Sequence, residues 1–363
     1  MLQPSFIEGI GLVTAQGVGA EHSWNALLNH QTLSDHGGAA LARNKQSRVV
    51  QLAALAAREA IADAAWDHDL LSNSRTALIV GTSKGPIDEW IAAQETAVQF
   101  QLLGGISQLA NDLAADLGMC GPRQTWSAAC ASGLHALWQA QNLIRRGVCD
   151  RALVVAAESS LHPLFVASFG RLGVLAKPGY GCRPFDKQRN GFTLSEAAAA
   201  VCLSGVRKRA TIQLDRVAIA SDAHHITGID PAGEALRHVL KTAAANQPVD
   251  FVHAHGTATI TNDPVELLAI ESVIGAHRPH VFSHKAAFGH TQGAAGLIGV
   301  ICNVLTHRYR TVPPNAGTED PIEHQDVVLS QNVTSRRVHR SLVLAAGFGG
   351  PLACAALSGS DEA

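Results

Sequence analysis

Short apolar runs rich in Ala, Val, Leu and Ile alternate along the chain with longer Ala/Leu-rich stretches patterned at helical spacing. Residues 77–80, 152–156, 198–203, 251–254 and 342–346 predict strands, each ending near a Gly, Ser, Glu or His. Helices are predicted over 47–65, 108–117, 132–146, 234–245, 264–274 and 294–306. Alternation of this kind implies α/β architecture with parallel sheets covered by helices on both faces. Chemistry in such folds gathers at the C-terminal ends of strands and the N-termini of helices. The stretch 161–190, rich in Gly, Pro, Arg and Lys, reads as a long excursion between two α/β halves. A boundary within 205–213 divides the chain into residues 1–208 and 209–363. No short-period repeat is visible, and no low-complexity tract beyond Ala-rich helix and the Ser/Asp/Glu tail at 358–363.

Composition narrows the class. A chain of 363 residues with 47% apolar and only 16% charged residues must bury much of itself in a core or an interface. With 28 basic against 30 acidic residues, a general nucleic-acid-binding surface is not indicated. Seven cysteines without CxxC or regular spacing fit free thiols in a reducing compartment. The first residues show no basic segment followed by an apolar run, and the longest apolar stretch, 293–305, is too short to span a bilayer. The expectation is a cytoplasmic chain with neither nucleic acid nor membrane among its partners.

Candidate chemistry begins with the segment 125–133, Thr-Trp-Ser-Ala-Ala-Cys-Ala-Ser-Gly, which joins a short strand to a strongly patterned helix. That helix closes with Arg145 and Arg146 in its last turn and Gly147 beyond it. Cys130 is thus placed at or just before a helix N-terminus, where the dipole and free N–H groups are expected to lower its pKa. Small neighbours would let a carbonyl come close. A buried structural thiol is the other reading of this residue, and the one that Cys120, Cys149, Cys182, Cys202, Cys302 and Cys354 take.

A nucleophilic thiol needs groups that polarise a carbonyl and handle protons. His255 lies in His253-Ala254-His255-Gly256-Thr257-Ala258-Thr259, just past a predicted strand and ahead of Glu266. His290 closes Ser283-His284-Lys285-Ala286-Ala287-Phe288-Gly289-His290, ahead of a helix. His253 and His255 also match an H-x-H metal pair, but no third ligand stands at a typical spacing, and His224 with His225 carries no more weight. The turn Gly347-Phe348-Gly349-Gly350 can aim a backbone N–H at an oxyanion. Gly81-Thr82-Ser83-Lys84-Gly85 superficially resembles a phosphate loop but lacks GxxxxGK[ST] spacing, which argues against nucleotide binding.

Taken in order, ACASG, RPFD with R.GF, SDAHHIT..DP, HGTAT..ND..E, K…GH..GAAG and GFGG resemble the elongating β-ketoacyl-[acyl carrier protein] synthases of the thiolase-like superfamily. The opening Ile10-Gly11-Leu12-Val13-Thr14 and Trp24-Asn25-Ala26-Leu27-Leu28 are similar to that family's too, so the resemblance runs almost end to end. It implies a five-layered αβαβα fold with two duplicated halves, forming a homodimer or a heterodimer with a related ketosynthase-like subunit. It makes Cys130 the acyl-accepting nucleophile, His255 and His290 the pair that supports decarboxylation, and Lys285 the lysine that tunes one of them. Glu266 falls in the supporting polar network. The N–H groups of Cys130 and Phe348 form the oxyanion hole, with Phe348 also a gate, and Thr257 and Thr259 bind the pantetheine arm. No metal and no bound cofactor are implied; substrates arrive on the 4′-phosphopantetheine of an acyl carrier protein, and the reaction is an acyltransferase-type decarboxylative condensation with malonyl-carrier.

Departures from the family pattern are Ser195 and Ala197 in place of glycines, Ala258 in HGTAT, and Pro351-Leu352 after GFGG. The segment between Gly85 and Gln124 is short, which implies an altered acyl pocket and a specialised pathway, such as polyketide or polyene synthesis. Trp126 either shapes that pocket or fills the core at a strand end. Lys45 and Arg48 are candidates for a basic patch facing an acidic carrier. Two other readings stay open: a chain-length-factor-like partner subunit without catalysis, and a decarboxylase or thioester hydrolase using the same residues.

Overall fold

The structure, a computed structural model, describes residues 4–42, 46–95, 105–208 and 212–359. Lys45, part of the expected boundary (209–211), part of the short segment after Gly85 (96–104) and the end of the tail (360–363) lie outside the described residues. Ten strands carry the architecture. The first five are β1 Ser5–Thr14, β2 Thr76–Gly81, β3 Arg123–Trp126, β4 Arg151–Glu158 and β5 Ala197–Ser204. The second five are β6 Ile212–Ser221, β7 Phe251–His253, β8 His280–Phe282, β9 Arg340–Ala346 and β10 Pro351–Ser358. Between them run α1 Arg48–Asp63, α2 Gln108–Leu117, α3 Ser132–Arg145, α4 Glu234–Ala244, α5 Asn262–Ile274 and α6 Ala295–Tyr309.

Across the sheet the first half reads β3-β2-β4-β5-β1, and the second reads β8-β7-β9-β10-β6. The senses of pairing match strand for strand: β2 is parallel to β3 and β4, as β7 is to β8 and β9. The β4–β5, β5–β1, β9–β10 and β10–β6 pairs are antiparallel. The chain has therefore folded one topology twice. The halves meet where β1 pairs antiparallel with β6 over Ser5–Leu214, Phe6–Gln213 and Ile7–Ile212.

Alternation along the strands builds the layers, because successive side chains point to opposite faces. In β2, Leu78 and Val80 face α1 and α2, while Ala77 and Ile79 face a central cluster containing α3 and α6. In β9, Leu342 and Leu344 face α4 and α5, while Val343 and Ala345 face the same central cluster. Helices, sheet, helices, sheet and helices make the five layers αβαβα. The expectation of purely parallel sheets is corrected: each half is mixed. The short turn Gly347–Gly350 between β9 and β10 leaves room only for an antiparallel return, since a parallel one needs a crossover of a dozen or more residues.

The excursion after β4 is ordered around the helix Pro163–Arg171, with His162 as its N-cap accepting the Leu164 N–H. Arg48 does not belong to a docking patch: it is buried in an ion pair with Glu196, and its Nη2 also donates to the Ala39 carbonyl at 2.7 Å. A guanidinium committed inside the fold cannot greet a partner. No helix among the described residues is long and apolar enough to cross a membrane.

Candidate active site

Every candidate group follows the C-terminal end of a parallel strand: Cys130 after β3, His255 after β7, His290 after β8 and Phe348 after β9. This is where strand and helix ends leave backbone N–H groups free for a ligand. The turn from β3 to α3 is tight, with Ala129 at φ +46°. Ser132 fixes it by accepting the Ala128 N–H at 2.9 Å and donating to the Ala129 carbonyl at 2.6 Å. Cys130 is thereby set just ahead of α3, 9% exposed at the floor of a cleft.

The N–H groups of Gly347, Gly349 and Gly350 are spent on the carbonyls of Pro351, Ile226 and Gly347. The Phe348 N–H is left to donate to the Cys130 sulfur. Gly350 has no alternative residue: at φ +91° a β-carbon would sit 1.6 Å from the Asp222 carbonyl oxygen. The expected lowering of the Cys130 pKa is corrected. Burial pushes the thiol up to about 11, against the pull of Lys84, Lys285 and the Phe348 N–H. In the resting protein the sulfur is a thiol, and charge on it is stabilised only in part.

The loop after β7 is held by two carboxylates at the start of α5. Glu266 accepts the N–H groups of His255 and Gly256, the latter at 2.7 Å, and the Asn262 amide at 2.9 Å. Asp263 accepts from Ala258 and Phe185. Ala258 stands at φ +58°, which explains why glycine suits that place. Burial raises Glu266 to about 7 and Asp263 to about 6. Lys285, buried and with its own pKa lowered chiefly by desolvation, donates to the His255 carbonyl.

The rings of His255 and His290 lie 5.5 Å apart between centroids at 81°. Burial first, and the Lys285 charge next, hold both imidazoles well below their usual basicity. Both are neutral near pH 7. The Gln292 N–H donates to His290 Nδ1 at 3.4 Å, so the His290 proton resides on Nε2. The site therefore offers one buried thiol and two neutral imidazoles.

Cys130, His255, His290, Phe348, Thr257 and Thr259 all line one cleft of about 680 Å³, measured out to its open mouth. The two threonine hydroxyls are 3.0 Å apart. The Phe348 ring lies 6.3 Å from that of Phe169, which meets Phe192 edge-on, and Phe192 meets His290. Sequence reasoning missed this aromatic wall, and with it Asp263, Glu158, Gln292 and Lys84. Asp263 stands inside the motif HGTAT..ND. Lys84 stands in the glycine-bracketed turn after β2, where its place past a parallel strand was the available signal.

Other candidates fall elsewhere. His253 Nε2 is 2.8 Å from His284 Nδ1, within the core and apart from the cleft lining. His225 Nδ1 accepts the N–H groups of Thr227 and Gly228. Among the described residues no group of three or more His, Cys, Asp and Glu could hold a metal ion. Trp126 packs edge-on against Trp138 at 5.8 Å and does not line the cleft.

A family model described as beta-ketoacyl synthase, N-terminal domain, matches residues 35–208, and one described as beta-ketoacyl synthase, C-terminal domain, matches residues 211–319. The tetracenomycin polyketide synthase ketoacyl synthase alpha subunit of Streptomyces glaucescens is 30% identical over 350 residues, covering 87% of this chain and 82% of that one. The 3-oxoacyl-[acyl-carrier-protein] synthase 2 of Coxiella burnetii is 29% identical over 327 residues, covering 83% and 78%. Among solved structures, a type II PKS acyl-carrier protein in complex with its ketosynthase bound to the hexaketide superposes with a TM-score of 0.87 at 23% identity, covering 99% and 100%. The ishigamide ketosynthase/chain length factor superposes at 0.86 and 24% identity, covering 99% of each. At such identities the two superpositions speak for the fold alone.

Proposed function

The chain belongs to the β-ketoacyl synthase family, and from that premise we propose that it joins an acyl group held on Cys130 to the carbanion of a decarboxylated malonyl-carrier thioester. The observation that carries this reading is the convergence of Cys130, His255 and His290 on one cleft. The N-terminal half, residues 1–208, supplies the nucleophile, and the C-terminal half, residues 209–363, supplies both histidines. An acyl carrier protein presents each substrate on its pantetheine arm, with Thr257 and Thr259 as the hydroxyls that receive the arm. The assembly is a dimer, either of two copies or with a related ketosynthase-like subunit.

In the first stage the Cys130 sulfur attacks the acyl thioester. The developing oxyanion accepts from the Cys130 and Phe348 N–H groups, the carrier's C–S bond breaks, and the Cys130 proton ends on the departing carrier thiol. Phe348 must swing aside for this. In the second stage malonyl-carrier enters and its thioester carbonyl accepts from the neutral imidazoles of His255 and His290. As CO₂ leaves, those donors stabilise the enolate, whose carbon attacks the acyl-Cys130 carbonyl and expels the Cys130 thiolate. A neutral ring suits this role because it still carries one N–H to direct at the developing negative charge. Glu266 and Lys285 hold the His255 loop in place. The relatives named as a polyketide synthase ketoacyl synthase alpha subunit and as a 3-oxoacyl-[acyl-carrier-protein] synthase support this reading.

The test is intact-mass analysis after incubation with acyl-carrier protein, then with malonyl-carrier. The expected result is one acyl group per chain, absent in Cys130→Ser, followed by release of a β-ketoacyl-carrier. Acetyl-carrier as sole product would make the protein a decarboxylase. No acylation at any chain length would make it a non-catalytic partner subunit.

A further inference from the structure

Beside Cys130 and His290 lies a knot of polar groups that the two-stage chemistry leaves unused. Lys84 donates from Nζ to Gln292 Oε1 and to Ser83 Oγ at 3.0 Å. Ser83 in turn donates its N–H to Glu158 Oε2 at 2.9 Å, and the Gly293 N–H reaches the same oxygen at 3.3 Å. Glu158 is fully buried. None of these residues lines the cleft. Lys84 and Glu158 nevertheless both act electrostatically on Cys130, in opposite directions, and Lys84 acts on His290 as well.

Gln292 is the hinge of this arrangement. Its backbone is left-handed, φ +48°, a conformation that a non-glycine residue holds only when its surroundings insist. Its N–H is the donor to His290 Nδ1. Its side chain is buried, its Nε2 has no partner among the described residues, and its Oε1 is gripped by the Lys84 ammonium. The ammonium also lies 5.2 Å above the Phe165 ring and 5.8 Å above that of Phe169, whose aromatic wall reaches Phe348. One cation thus ties together the turn after β2, the segment after His290 and the helix Pro163–Arg171.

We propose that Lys84 is a positioning residue for the condensation: by gripping Gln292 it keeps the Gln292 N–H on His290 Nδ1, and its ammonium stands within electrostatic reach of the Cys130 sulfur. The inference rests on the reading of Cys130 and His290 as the reacting pair. With the grip in place His290 presents Nε2–H to the cleft; without it Gln292 relaxes, and the ring is free to take the tautomer with no donor there. The ammonium meanwhile offsets the negative charge that appears on sulfur at attack and at expulsion.

Lys84→Met keeps an unbranched side chain one atom shorter and removes charge and donor; Lys84→Arg keeps both. Two measurements separate positioning from mere structure. The first is iodoacetamide alkylation of Cys130 across pH, read on the Cys130 peptide by mass. For Lys84→Met the log rate against pH is expected to move about one unit to the alkaline side, and for Lys84→Arg to stay with the parent. The second is malonyl-carrier decarboxylation, where Lys84→Met is expected to lose roughly tenfold in kcat with KM within about twofold. Unchanged alkylation and unchanged kcat in Lys84→Met overturn the proposal. So does an Arg variant that behaves like Met. Failure of the unmutated chain to acylate at Cys130 strikes instead at the condensation reading, while the alkylation profile still reports on Lys84.

Discussion

At Cys130 the local signals pointed one way and the packed protein another. A helix start and small neighbours favour a thiolate, yet burial takes away more than the helix start supplies, and the thiol rises to about 11. The same desolvation governs six buried histidines, His253, His255, His280, His284, His290 and His307, all depressed below the ordinary 6.5. Their folded pKa values are lowered, so the stability they contribute is present above about 6.5 and is lost as pH falls, because the unfolded chain takes up protons that the native core refuses. Each such group costs up to about 1.4 kcal/mol per pH unit below 6.5 until its own folded pKa is reached. Glu266 and Asp263, raised to about 7 and 6, act in the opposite sense over the same window but are outnumbered. The urea midpoint is therefore expected to drop steadily between pH 7 and pH 5. A midpoint that stays level over that range would show that these histidines are not buried and neutral.

At the scale of elements, α3 and α6 were both legible from their periodicity, within a few residues of their ends. Their mutual approach was not. Gly133 of α3 fits against Leu297 of α6, where a β-carbon would come within 3.1 Å, and Gly296 of α6 fits against Leu134 of α3, where one would come within 2.8 Å. The contact is reciprocal, as expected when two copies of one topology face each other. Because Cys130 leads into α3 and His290 leads into α6, the spacing of these helices also sets the distance between thiol and imidazole. Gly296→Val is expected to lower unfolding free energy by about 2 kcal/mol through overpacking. Condensation should fall by more than the folded fraction explains, as seen by comparing urea unfolding with turnover on the same sample. Loss of turnover in strict proportion to unfolded protein would separate the helix contact from the chemistry. The strands β1, β6 and β10 are hard to see in the sequence because Glu8, Gly9 and Gly11 interrupt the apolar run of β1, Gln213, Asp215 and Arg216 interrupt that of β6, and the Ala-rich β10 suits a helix as well. The antiparallel sense of β5 and β10 depends on how the chain returns, which no local pattern records.

For the molecule as a whole, the two halves share one central hydrophobic cluster that runs from β1 and β2 through α3 and α6 to β9 and β10. Neither half can close that core alone. All five tryptophans (Trp24, Trp66, Trp90, Trp126 and Trp138) lie in the first half, so their fluorescence reports on it while far-UV circular dichroism reports on both. The two transitions in urea are expected to coincide; a tryptophan transition displaced from the dichroism would mean that the halves unfold separately. What the sequence carried by itself is residue type and local form: a thiol, imidazoles, a lysine and a carboxylate set in ordered motifs, the helices α1 to α6, and the strands β2, β4, β5, β7 and β9, because these depend on residue type and spacing. What only the tertiary structure decided is the sign of the Cys130 shift, the burial of Arg48, the grip of Lys84 on Gln292 and the doubling of the fold. Each of these depends on which segments, far apart along the chain, come to exclude water from one another, and desolvation belongs to the packed whole.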